Sequence, residues 1–482
     1  MKSLSFVKMS SFTIHLTTLS LIVFVAILYF VDLRYTEKRS LEKPQQLRLI
    51  IQQEYVPVQS KESKWKDVGV PFTTEIANDI SLQMANGSTT KGAGAPLAAG
   101  GTEKEDEEEE EELDVDVDDE DDEFVPFAVG STEEGCDVFS GKWVYDKASM
   151  PHYAEQECRY INPQFKCEAF GRPDRAYQFW RWQPHGCSLQ RFNATFMLER
   201  LRGKRILFVG DSLSGGQFFS MVCLLGRPIA HFRKGHKRSP SLTIFVAPEY
   251  NVTVEFYWAP FLVESNCDNS TNHRVKDRVI HLYPGSIETH AENWKGADVL
   301  VFNTYTWWLT GTNMKTLRGA SRDGAKYIKE MELEKAYRLV LKRMVRWLER
   351  NLDPLKTRVF FTSMSPTHFR SIDWGGDRQG NCYGQRMPIF DPTYWGSASK
   401  KSVMQVVSEV LGKTKLPITV LNITQLSEYR RDAHTSIYKQ QRYPLTNQQR
   451  RNPRSYADCV HWCLPGLQDT WNELFYNKLF FP

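Results

Sequence analysis

Ser212 lies where a short apolar segment changes into a helical pattern. Residues 206–209 read Ile-Leu-Phe-Val, which predicts a strand buried on both faces, and residues 217–225 carry apolar residues at helical spacing. A serine between the carboxyl end of a buried strand and the start of a helix lies at the mouth of an α/β sheet. There the free N–H groups and the positive end of the helix dipole suit an oxyanion. Gly-Asp-Ser is only a tripeptide, however, and taken alone a capped strand-to-helix turn is the more common explanation.

A second candidate pair for catalysis lies near the C-terminus. Asp458 and His461 are three residues apart in a segment rich in cysteines and turn-forming residues. This spacing can place both side chains on one face of a single turn. The imidazole could then accept the proton of Ser212 while the carboxylate orients the ring, which is the logic of a serine triad. The alternative is a buried polar pair beside a disulfide.

The elements that would position these residues follow from further apolar patterns. The predicted strands are residues 206–209, 243–247, 252–258, 298–302, 358–362 and 418–421. The predicted helices are residues 217–225, 328–351 and 399–412. Alternating strands and helices indicate a mostly parallel α/β fold with right-handed crossovers. Asn303 directly follows a predicted strand, so we expect it at the same sheet edge as Ser212.

Four blocks of sequence, taken in order, carry a resemblance to a known family. They are residues 209–213, 303–308, 362–368 and 458–466, the last followed by 469–474. With these blocks the chain resembles the SGNH (GDSL-type) superfamily and, more closely, the plant trichome-birefringence-like family of polysaccharide O-acetyltransferases. The resemblance implies an SGNH-hydrolase-like three-layer α/β/α sandwich with a mostly parallel central sheet. It also implies a small disulfide-stapled N-terminal subdomain.

The resemblance also implies roles for individual residues. Ser212 would be the nucleophile, His461 its base and Asp458 the residue that orients the base. In the SGNH pattern an Asn in the second block donates to the oxyanion, so this role is carried to Asn303 beside the backbone N–H of Ser212. The alternative for Asn303 is a helix or turn cap.

Candidate substrate contacts come from the same blocks. They are Trp307, Trp308, His368 and Trp462. Packing is an equally credible role for the first two, and a structural role is the better interpretation of His368. The commonest family form has an Arg two residues after the Leu of the first block. Here Ser214-Gly215-Gly216 occupies that region, which puts in doubt any acceptor contact that such an Arg makes.

The reaction that the resemblance implies is acetyl transfer to hydroxyls of a cell-wall polysaccharide by double displacement. No bound cofactor is expected, and acetyl-CoA or an acetylated carrier would be the co-substrate. The favoured acceptor is xylan, with glucuronosyl-substituted xylosyl residues preferred, and mannan, xyloglucan or pectin are alternatives. The same triad would serve an acetyl esterase. From a different class, the chain could be a noncatalytic polysaccharide-binding protein.

Charge is distributed unevenly along the chain. Residues 103–123 contain 17 Asp or Glu and one Lys, a local charge of −16, so the remainder of a chain of net charge +3 carries +19. A basic body suggests an anionic partner such as a glucuronosyl branch, although a basic surface is often only a solvated one. No basic-aromatic repeat or helix-turn-helix pattern indicates nucleic acid, and no phosphate-binding loop is present.

The N-terminal part predicts membrane attachment. Residues 1–11 form a cytosolic tail, residues 12–31 are long enough to cross a bilayer as an uncleaved anchor, and residues 32–132 form a disordered stem. Residues 133–482 form the lumenal catalytic domain. Positive charge flanks both ends of the span, so orientation is argued from the cysteines and from five glycosylation sequons, all after it. The sequons are at Asn86, Asn193, Asn251, Asn269 and Asn422.

These features predict a single-pass type II protein of the Golgi membrane. Its expected partners are the polysaccharide acceptor and the membrane, together with Golgi biosynthetic or acetyl-donor proteins.

Nine cysteines follow the predicted stem, and none has the paired spacing of a zinc site. An odd number leaves one thiol over, and Cys267 is the candidate because it lies in a polar loop beside a sequon. We expect the other eight to form four disulfides, in which Cys459 and Cys463 join the Asp458–His461 segment to distant segments. These eight, whose pairing is left open, are Cys136, Cys187, Cys158, Cys223, Cys167, Cys463, Cys382 and Cys459. Aromatic residues between Cys136 and Cys187 could stack on sugars, but more often such residues form a core.

Overall fold

The computed structural model describes residues 124–229, 231–235, 241–309, 311–318 and 327–482. The predicted tail, the predicted anchor and most of the predicted stem, including Asn86, lie outside these residues. Within the described ranges, no helix is both long and apolar enough to cross a bilayer. Residues 124–132 belong to the folded body, because Val129 N–H donates to Phe480 O and the Thr132 hydroxyl donates to Phe481 O. The folded part therefore begins before the predicted boundary at residue 133.

Strands and helices alternate along the body as expected. The strands are β1 Gly141–Tyr145, β2 Trp180–Pro184, β3 Arg205–Gly210, β4 Arg233–Lys234, β5 Leu242–Ala247, β6 Val252–Trp258, β7 Val279–His281, β8 Val299–Asn303, β9 Asn313–Leu317, β10 Ile328–Glu332, β11 Arg358–Thr362, β12 Ile418–Leu421, β13 His434–Ser436 and β14 Asp458–Trp462. The α-helices are α1 Ala194–Arg200, α2 Ser212–Leu225, α3 Glu288–Ala291, α4 Leu333–Asn351, α5 Lys401–Leu411, α6 Thr424–Glu428, α7 Asn447–Arg451 and α8 Leu467–Phe480.

The central sheet has the order β12-β11-β8-β3-β6-β5-β4. The first five strands are mutually parallel, and β5 and β4 add two antiparallel strands at one edge. The six predicted strands all lie in this sheet and agree with the observed bounds to within one residue at each end. The mostly parallel α/β prediction is therefore confirmed.

Strand β3 is central because neither of its faces meets water. Ile206 and Phe208 pack into the core cluster that contains the apolar residues of α2 and α8. Leu207 and Val209 point to the opposite face and pack with the apolar residues of α4 and α5. The continuous apolar run of β3 thus serves two helical layers, which makes the body a three-layer sandwich.

The predicted helix over residues 328–351 is wrong in its first turn. Residues Ile328–Glu332 form β10, which pairs with β9 in a small second sheet, and the helix begins at Leu333. In β10 only Met331 is buried, whereas the helix presents a continuous apolar face. The period of the pattern changes at Leu333, and strand pairing determines the five residues before it.

The N-terminal cysteine-rich segment is bonded to the rest of the body. Of the four disulfides, Cys136–Cys187 lies within the segment, Cys158–Cys223 ties it to α2, Cys167–Cys463 ties it to the segment after β14, and Cys382–Cys459 fixes β14 itself. Trp143, Trp180 and Trp182 lie in the same core cluster as α8. The predicted small disulfide-stapled N-terminal subdomain is confirmed, and its aromatic residues are part of the main core. Cys267 is a free, buried thiol.

The four sequon asparagines within the described ranges, Asn193, Asn251, Asn269 and Asn422, are all exposed. A glycan acceptor has to be reachable from solvent, so this exposure is compatible with glycosylation in a secretory compartment.

Gly210 packs closely against the neighbouring strand just before Ser212, so we expect its substitution to destabilise the fold. Its φ is +154°, and a Cβ at this position would lie 1.9 Å from the backbone oxygen of Asn303 on the neighbouring strand. Gly210→Ala must push β3 and β8 apart, so we expect the free energy of unfolding to fall by at least about 3 kcal/mol. Denaturant unfolding without reductant measures this loss.

The matched control is Gly203→Ala, since Gly203 also has a positive φ of +74° but nothing within 4 Å of the added Cβ. That variant should lose only about 1 kcal/mol, the cost of the backbone conformation. Equal losses in the two variants would contradict the steric argument.

Candidate active site

The turn between β3 and α2 presents Ser212 at the carboxyl edge of the sheet. Asp211 caps the helix, with Oδ1 accepting the backbone N–H of Leu213 at 2.8 Å. Asp211 is fully buried, whereas Ser212 is half-buried as the first residue of α2. The cap therefore fixes the start of the helix and leaves the Ser212 hydroxyl accessible beside the positive end of the helix dipole.

Asp458 and His461 lie on strand β14, not on the helical turn that their spacing predicted. In β14, Asp458 is opposite Ser436 and Trp462 is opposite His434, so four steps along β14 face two steps along β13. The surplus residues form a bulge that re-aims the side chains. Asp458 Oδ1 accepts the backbone N–H groups of Val460 and His461, both at 3.1 Å, which holds the bend. A regular strand would place residues i and i+3 on opposite faces.

The three predicted catalytic side chains form one hydrogen-bonded chain. His461 Nε2 lies 2.8 Å from Ser212 Oγ, and His461 Nδ1 lies 2.8 Å from Asp458 Oδ2. A carboxylate oxygen only accepts, so Nδ1 carries the proton and Nε2 is left to accept from the Ser212 hydroxyl. The imidazole is thus in the tautomer that a general base for Ser212 requires.

Lys439 is a member of this site that the sequence did not indicate. Its ammonium contacts the same Asp458 oxygen, Oδ2, that accepts from His461. Burial opposes ionisation of Asp458, but the charges of His461 and Lys439 outweigh it and hold the Asp458 pKa well below its usual range. Asp458 therefore stays a carboxylate in a nearly dry setting. Lys439 lies in a loop that follows β13, and no local pattern in its neighbourhood could have revealed this contact.

Asp211 is a second buried carboxyl group beside Ser212, and its pKa is shifted in the opposite direction. Burial raises its pKa to about 6, although the N–H of Leu213 and the charges of His461 and Arg278 act against the shift. Its Oδ2 has no hydrogen-bond partner among the described residues. Asp211 is positioned as a cap, and the sequence offered no sign that Arg278 lies close enough to act on it.

The predicted oxyanion role of Asn303 is not met in this arrangement. Its side-chain nitrogen donates to the backbone oxygens of Thr362 and Ser363, at 3.1 and 3.2 Å, and the residue is buried. Both amide hydrogens are directed to these carbonyls, so Asn303 joins β8 to the end of β11. What remains for the oxyanion is the backbone N–H of Ser212 at the start of α2.

Three of the four predicted substrate contacts are wrong because the side chains are in the interior. Trp308 is fully buried and donates to the Thr304 hydroxyl, and Trp462 is fully buried and donates to Ser365. His368 is 1% exposed and both of its ring nitrogens have partners. Trp307 alone is half-buried at the sheet edge, where its ring packs against Arg278.

Gly216, next to position 215 where the commonest family form has Arg, is kept free of a side chain by packing. A Cβ at Gly216 would lie 2.1 Å from the side-chain oxygen of Gln468, whose amide nitrogen donates to Leu213 O at 2.8 Å. Gln468 on α8 thus fills the space beside the first turn of α2. In this chain a longer side chain at 216 would have to displace Gln468.

Comparisons with known proteins agree on one class of enzyme. Residues 189–478 match the PC-esterase family, described as GDSL/SGNH-like acyl-esterases found in Pmr5 and Cas1p, and residues 134–188 match the PMR5 N-terminal domain. A protein named "Probable xylan O-acetyltransferase 10" from Oryza sativa subsp. japonica is 59% identical over 357 residues, which is 74% of this chain and 80% of that protein. "Protein trichome birefringence-like 35" from Arabidopsis thaliana is 46% identical over 355 residues, 73% of this chain and 78% of that protein.

Removal of the Lys439 charge should make the protein more sensitive to acid. The folded pKa of Asp458 is depressed, so its contribution to stability is present above the ordinary value of 3.8 and is lost as the pH falls through the folded pKa. Lys439→Met raises that folded pKa. We expect the free energy of unfolding at pH 7 to fall by about 1.4 kcal/mol for each unit regained, with acid unfolding starting at higher pH.

Lys439→Arg keeps the charge and should retain most of this stability. Denaturant titrations at a series of pH values would measure all three proteins. An acid-unfolding curve of Lys439→Met that superimposes on the wild-type curve would show that Lys439 does not act on Asp458.

Proposed function

Because the chain belongs to the PC-esterase family of GDSL/SGNH-like acyl-esterases, as the four sequence blocks predicted, we propose that it transfers acetyl groups to hydroxyls of a xylan-type polysaccharide. The observation that carries the reaction is the chain Ser212–His461–Asp458, with 2.8 Å at each step, at the mouth of the sheet. The names of the relatives, xylan O-acetyltransferases among them, support the choice of transferase and acceptor.

The first half-reaction would transfer acetyl from the donor to the enzyme. His461 Nε2 accepts the Ser212 proton as Oγ attacks the acetyl carbonyl, and the ionised Asp458 stabilises the imidazolium that forms. The carbonyl oxygen, negatively charged in the tetrahedral intermediate, lies at the N-terminus of α2, where the backbone N–H of Ser212 donates to it. Collapse of the intermediate gives an acetyl-serine, and the donor leaves with the proton from His461.

The second half-reaction would deliver the acetyl group to the polysaccharide. A sugar hydroxyl takes the position of the departed donor, and His461 Nε2 removes its proton as it attacks the acetyl-serine. Breakdown releases the ester and returns the proton to Ser212. Water in place of the sugar hydroxyl would make the same site an esterase, so the acceptor surface determines the outcome.

An arginine-rich surface beside the nucleophile supports an acceptor with acidic branches. Trp258 at the end of β6 pairs with Gly210, and its ring contacts those of His273 and Trp307. Burial lowers the pKa of His273, and three nearby guanidinium groups lower it further. These belong to Arg274, Arg442 and Arg278. A glucuronosyl carboxylate near this edge would be attracted to the three charges, while an aromatic face can cover a sugar ring.

The proposed setting is the Golgi lumen, with the chain anchored by residues 12–31 and acetyl-CoA or an acetylated carrier as donor. Four disulfides and four exposed sequons support an oxidising secretory compartment.

Ser212→Ala tests the nucleophile. The full-length chain, purified from an oxidising compartment in mild detergent, would be incubated with an acetyl donor and xylo-oligosaccharides, and mass spectrometry would count the acetyl groups gained. We expect Ser212→Ala to reduce transfer by roughly 10⁴-fold or more. Ser214→Ala is the matched control, because it removes a buried hydroxyl two residues away in the same helix and should leave transfer near wild type.

The outcomes of this assay distinguish the acyl-serine route from its alternatives. Transfer that survives Ser212→Ala would exclude the acyl-serine route. Donor consumption without acceptor gain, or loss of acetyl from a pre-acetylated oligomer, would identify an esterase.

The arginine surface predicts a preference for glucuronosylated oligomers, which removal of arginine charges should weaken. Exposed charge pairs contribute about 0.2–1 kcal/mol each. The double variant Arg274→Gln, Arg442→Gln should therefore lower kcat/KM for glucuronosylated oligomers by roughly 2- to 30-fold, with little change for unbranched ones. The double variant Arg200→Gln, Arg350→Gln, at exposed arginines of α1 and α4, serves as the charge-matched control. A parallel loss on both oligomers, or a loss that persists in high salt, would contradict recognition of the branch.

A further inference from the structure

Two buried histidines lie next to strand β14, which carries Asp458 and His461. His434 is the first residue of β13 and His368 follows β11, and each is 1% exposed. His434 Nδ1 lies 3.1 Å from the backbone oxygen of His461, and His368 Nε2 lies 2.8 Å from the backbone oxygen of Glu428. The remaining two ring nitrogens, His368 Nδ1 and His434 Nε2, face each other at 2.7 Å.

The three contacts set the number of hydrogens that the two imidazole rings must carry. Carbonyl oxygens only accept hydrogen bonds, so both outer nitrogens must carry a hydrogen. The inner contact needs one more hydrogen, since two lone pairs at 2.7 Å repel each other. Two neutral imidazoles supply only two hydrogens. All three contacts are hydrogen bonds only when the two rings together carry three.

We propose that His368 and His434 share one extra proton as a buried imidazolium pair, and that His434 thereby positions the catalytic base by donating to the backbone carbonyl of His461. This rests on the proposed role of His461. Here "the histidine pair" means His368 and His434.

Glu428 supplies the counter-charge. Its Oε1 accepts the Ser399 hydroxyl at 2.5 Å, and its Oε2, which has no hydrogen-bond partner among the described residues, lies 3.9 Å from His368 Nε2. Burial raises the pKa of Glu428 to about 7 and lowers the pKa of His368 to about 4, and both shifts disfavour an isolated charge. One proton placed on the rings instead of the carboxyl group leaves the whole group neutral and satisfies the inner contact, which a protonated Glu428 does not.

The other charges around the pair are mixed. Asp432 and Asp373 face His368 and favour its protonation, whereas Arg431 opposes it. Burial lowers the pKa of His434 well below its usual value; the charges of His368 and His461 act in the same direction, and that of Asp458 acts against it. Asp432 is itself paired with Arg430 and Asp458 with Lys439, so these charges of both signs offset one another and Glu428 is left as the counter-charge.

The contact between His434 and the backbone of His461 lies beside the bridge that joins β13 to β14. His434 pairs with Trp462 in this bridge, and its Nδ1 reaches the carbonyl of His461, the residue before Trp462. The His434 ring is therefore a further link between β13 and the residue that carries the proposed base. His434 is itself held by stacking on Trp462, with ring centroids 3.7 Å apart and planes at 17°. The histidine pair thus fixes the position of the His461 backbone, from which the imidazole reaches Ser212.

Nuclear magnetic resonance of the full-length chain, labelled with ¹⁵N at its 11 histidines, reads the proton count directly. His368→Asn and His434→Asn assign the resonances by their loss. We expect three protonated nitrogens among the four of the pair at roughly pH 5 to 8. Two protonated nitrogens would overturn the shared proton, whether or not the protein has acetyltransferase activity.

Two amide variants of His434 distinguish a positioning role of this residue from a packing role. In His434→Asn the amide lies where Nδ1 was and can still donate to His461 O, whereas in His434→Gln it lies where Nε2 was and that donor is lost. With p-nitrophenyl acetate as the probe, we expect His434→Gln to lower kcat by roughly 10- to 100-fold at unchanged KM and His434→Asn to stay within about threefold of wild type. His368→Asn supplies a neutral donor to His434 and should also retain kcat.

Equal losses of kcat in His434→Asn and His434→Gln would overturn the positioning role, and unfolding curves of both variants would then assign the loss to packing. A wild-type rate equal to that of Ser212→Ala with this probe would instead contradict the proposed function, while the proton count would still decide the state of the pair.

Discussion

The hydrogen bond between Ser212 Oγ and His461 Nε2 joins positions 249 residues apart, and the rest of the structure works to hold its two ends in place. One end is fixed by the central strand β3 and the capped start of α2. The other end lies on a bulged two-stranded ribbon, which by itself would be a weak support. Two disulfides therefore flank the His461 segment, Cys382–Cys459 before it and Cys167–Cys463 after it. In the proposed reaction an error of 1 Å at this contact would lower the rate strongly, so covalent anchoring on both sides of His461 suits that role.

Much of the fold could be predicted because its decisive signals are local. Each strand of the parallel sheet is a short apolar run, and the turn at Gly210 follows from a single residue type. The failures all depend on distant partners. Strand β10 forms because β9 is available to pair with it, and the Asn303 amide is occupied by carbonyls of β11. Lys439 and Arg278 reach the site from loops whose own sequences carry no pattern. Sequence reasoning identified the three side chains that the fold brings together, whereas long-range packing determines their surroundings.

The last sequence block, residues 469–474, shows how a motif near a catalytic pair can be structural. Asp469 Oδ1 accepts the hydroxyls of Ser220 and Tyr153, and its Oδ2 accepts the backbone N–H of Gly466. Burial raises the pKa of Asp469 to about 6, and Asn472 donates to Gln217 O. These hydrogen bonds join α8 to α2 and fix which residues of the two helices face each other. They fix the helix that carries Ser212 from behind, without touching the reacting atoms.

Four carboxyl groups near the site differ in the direction of their pKa shifts because their partners differ. Asp458 meets His461 and Lys439 and stays ionised, whereas Asp211 and Asp469 accept hydrogen bonds chiefly from neutral N–H or O–H donors, and burial raises the pKa of each. Glu428 also has a raised pKa, and among the described residues its ion-pair partner is His368, a member of the proposed imidazolium pair. A charge in this interior persists only where a partner of opposite sign is within contact. The proposed base needs an ionised Asp458, so the proposed triad depends on Lys439 as much as on the hydrogen bonds within it.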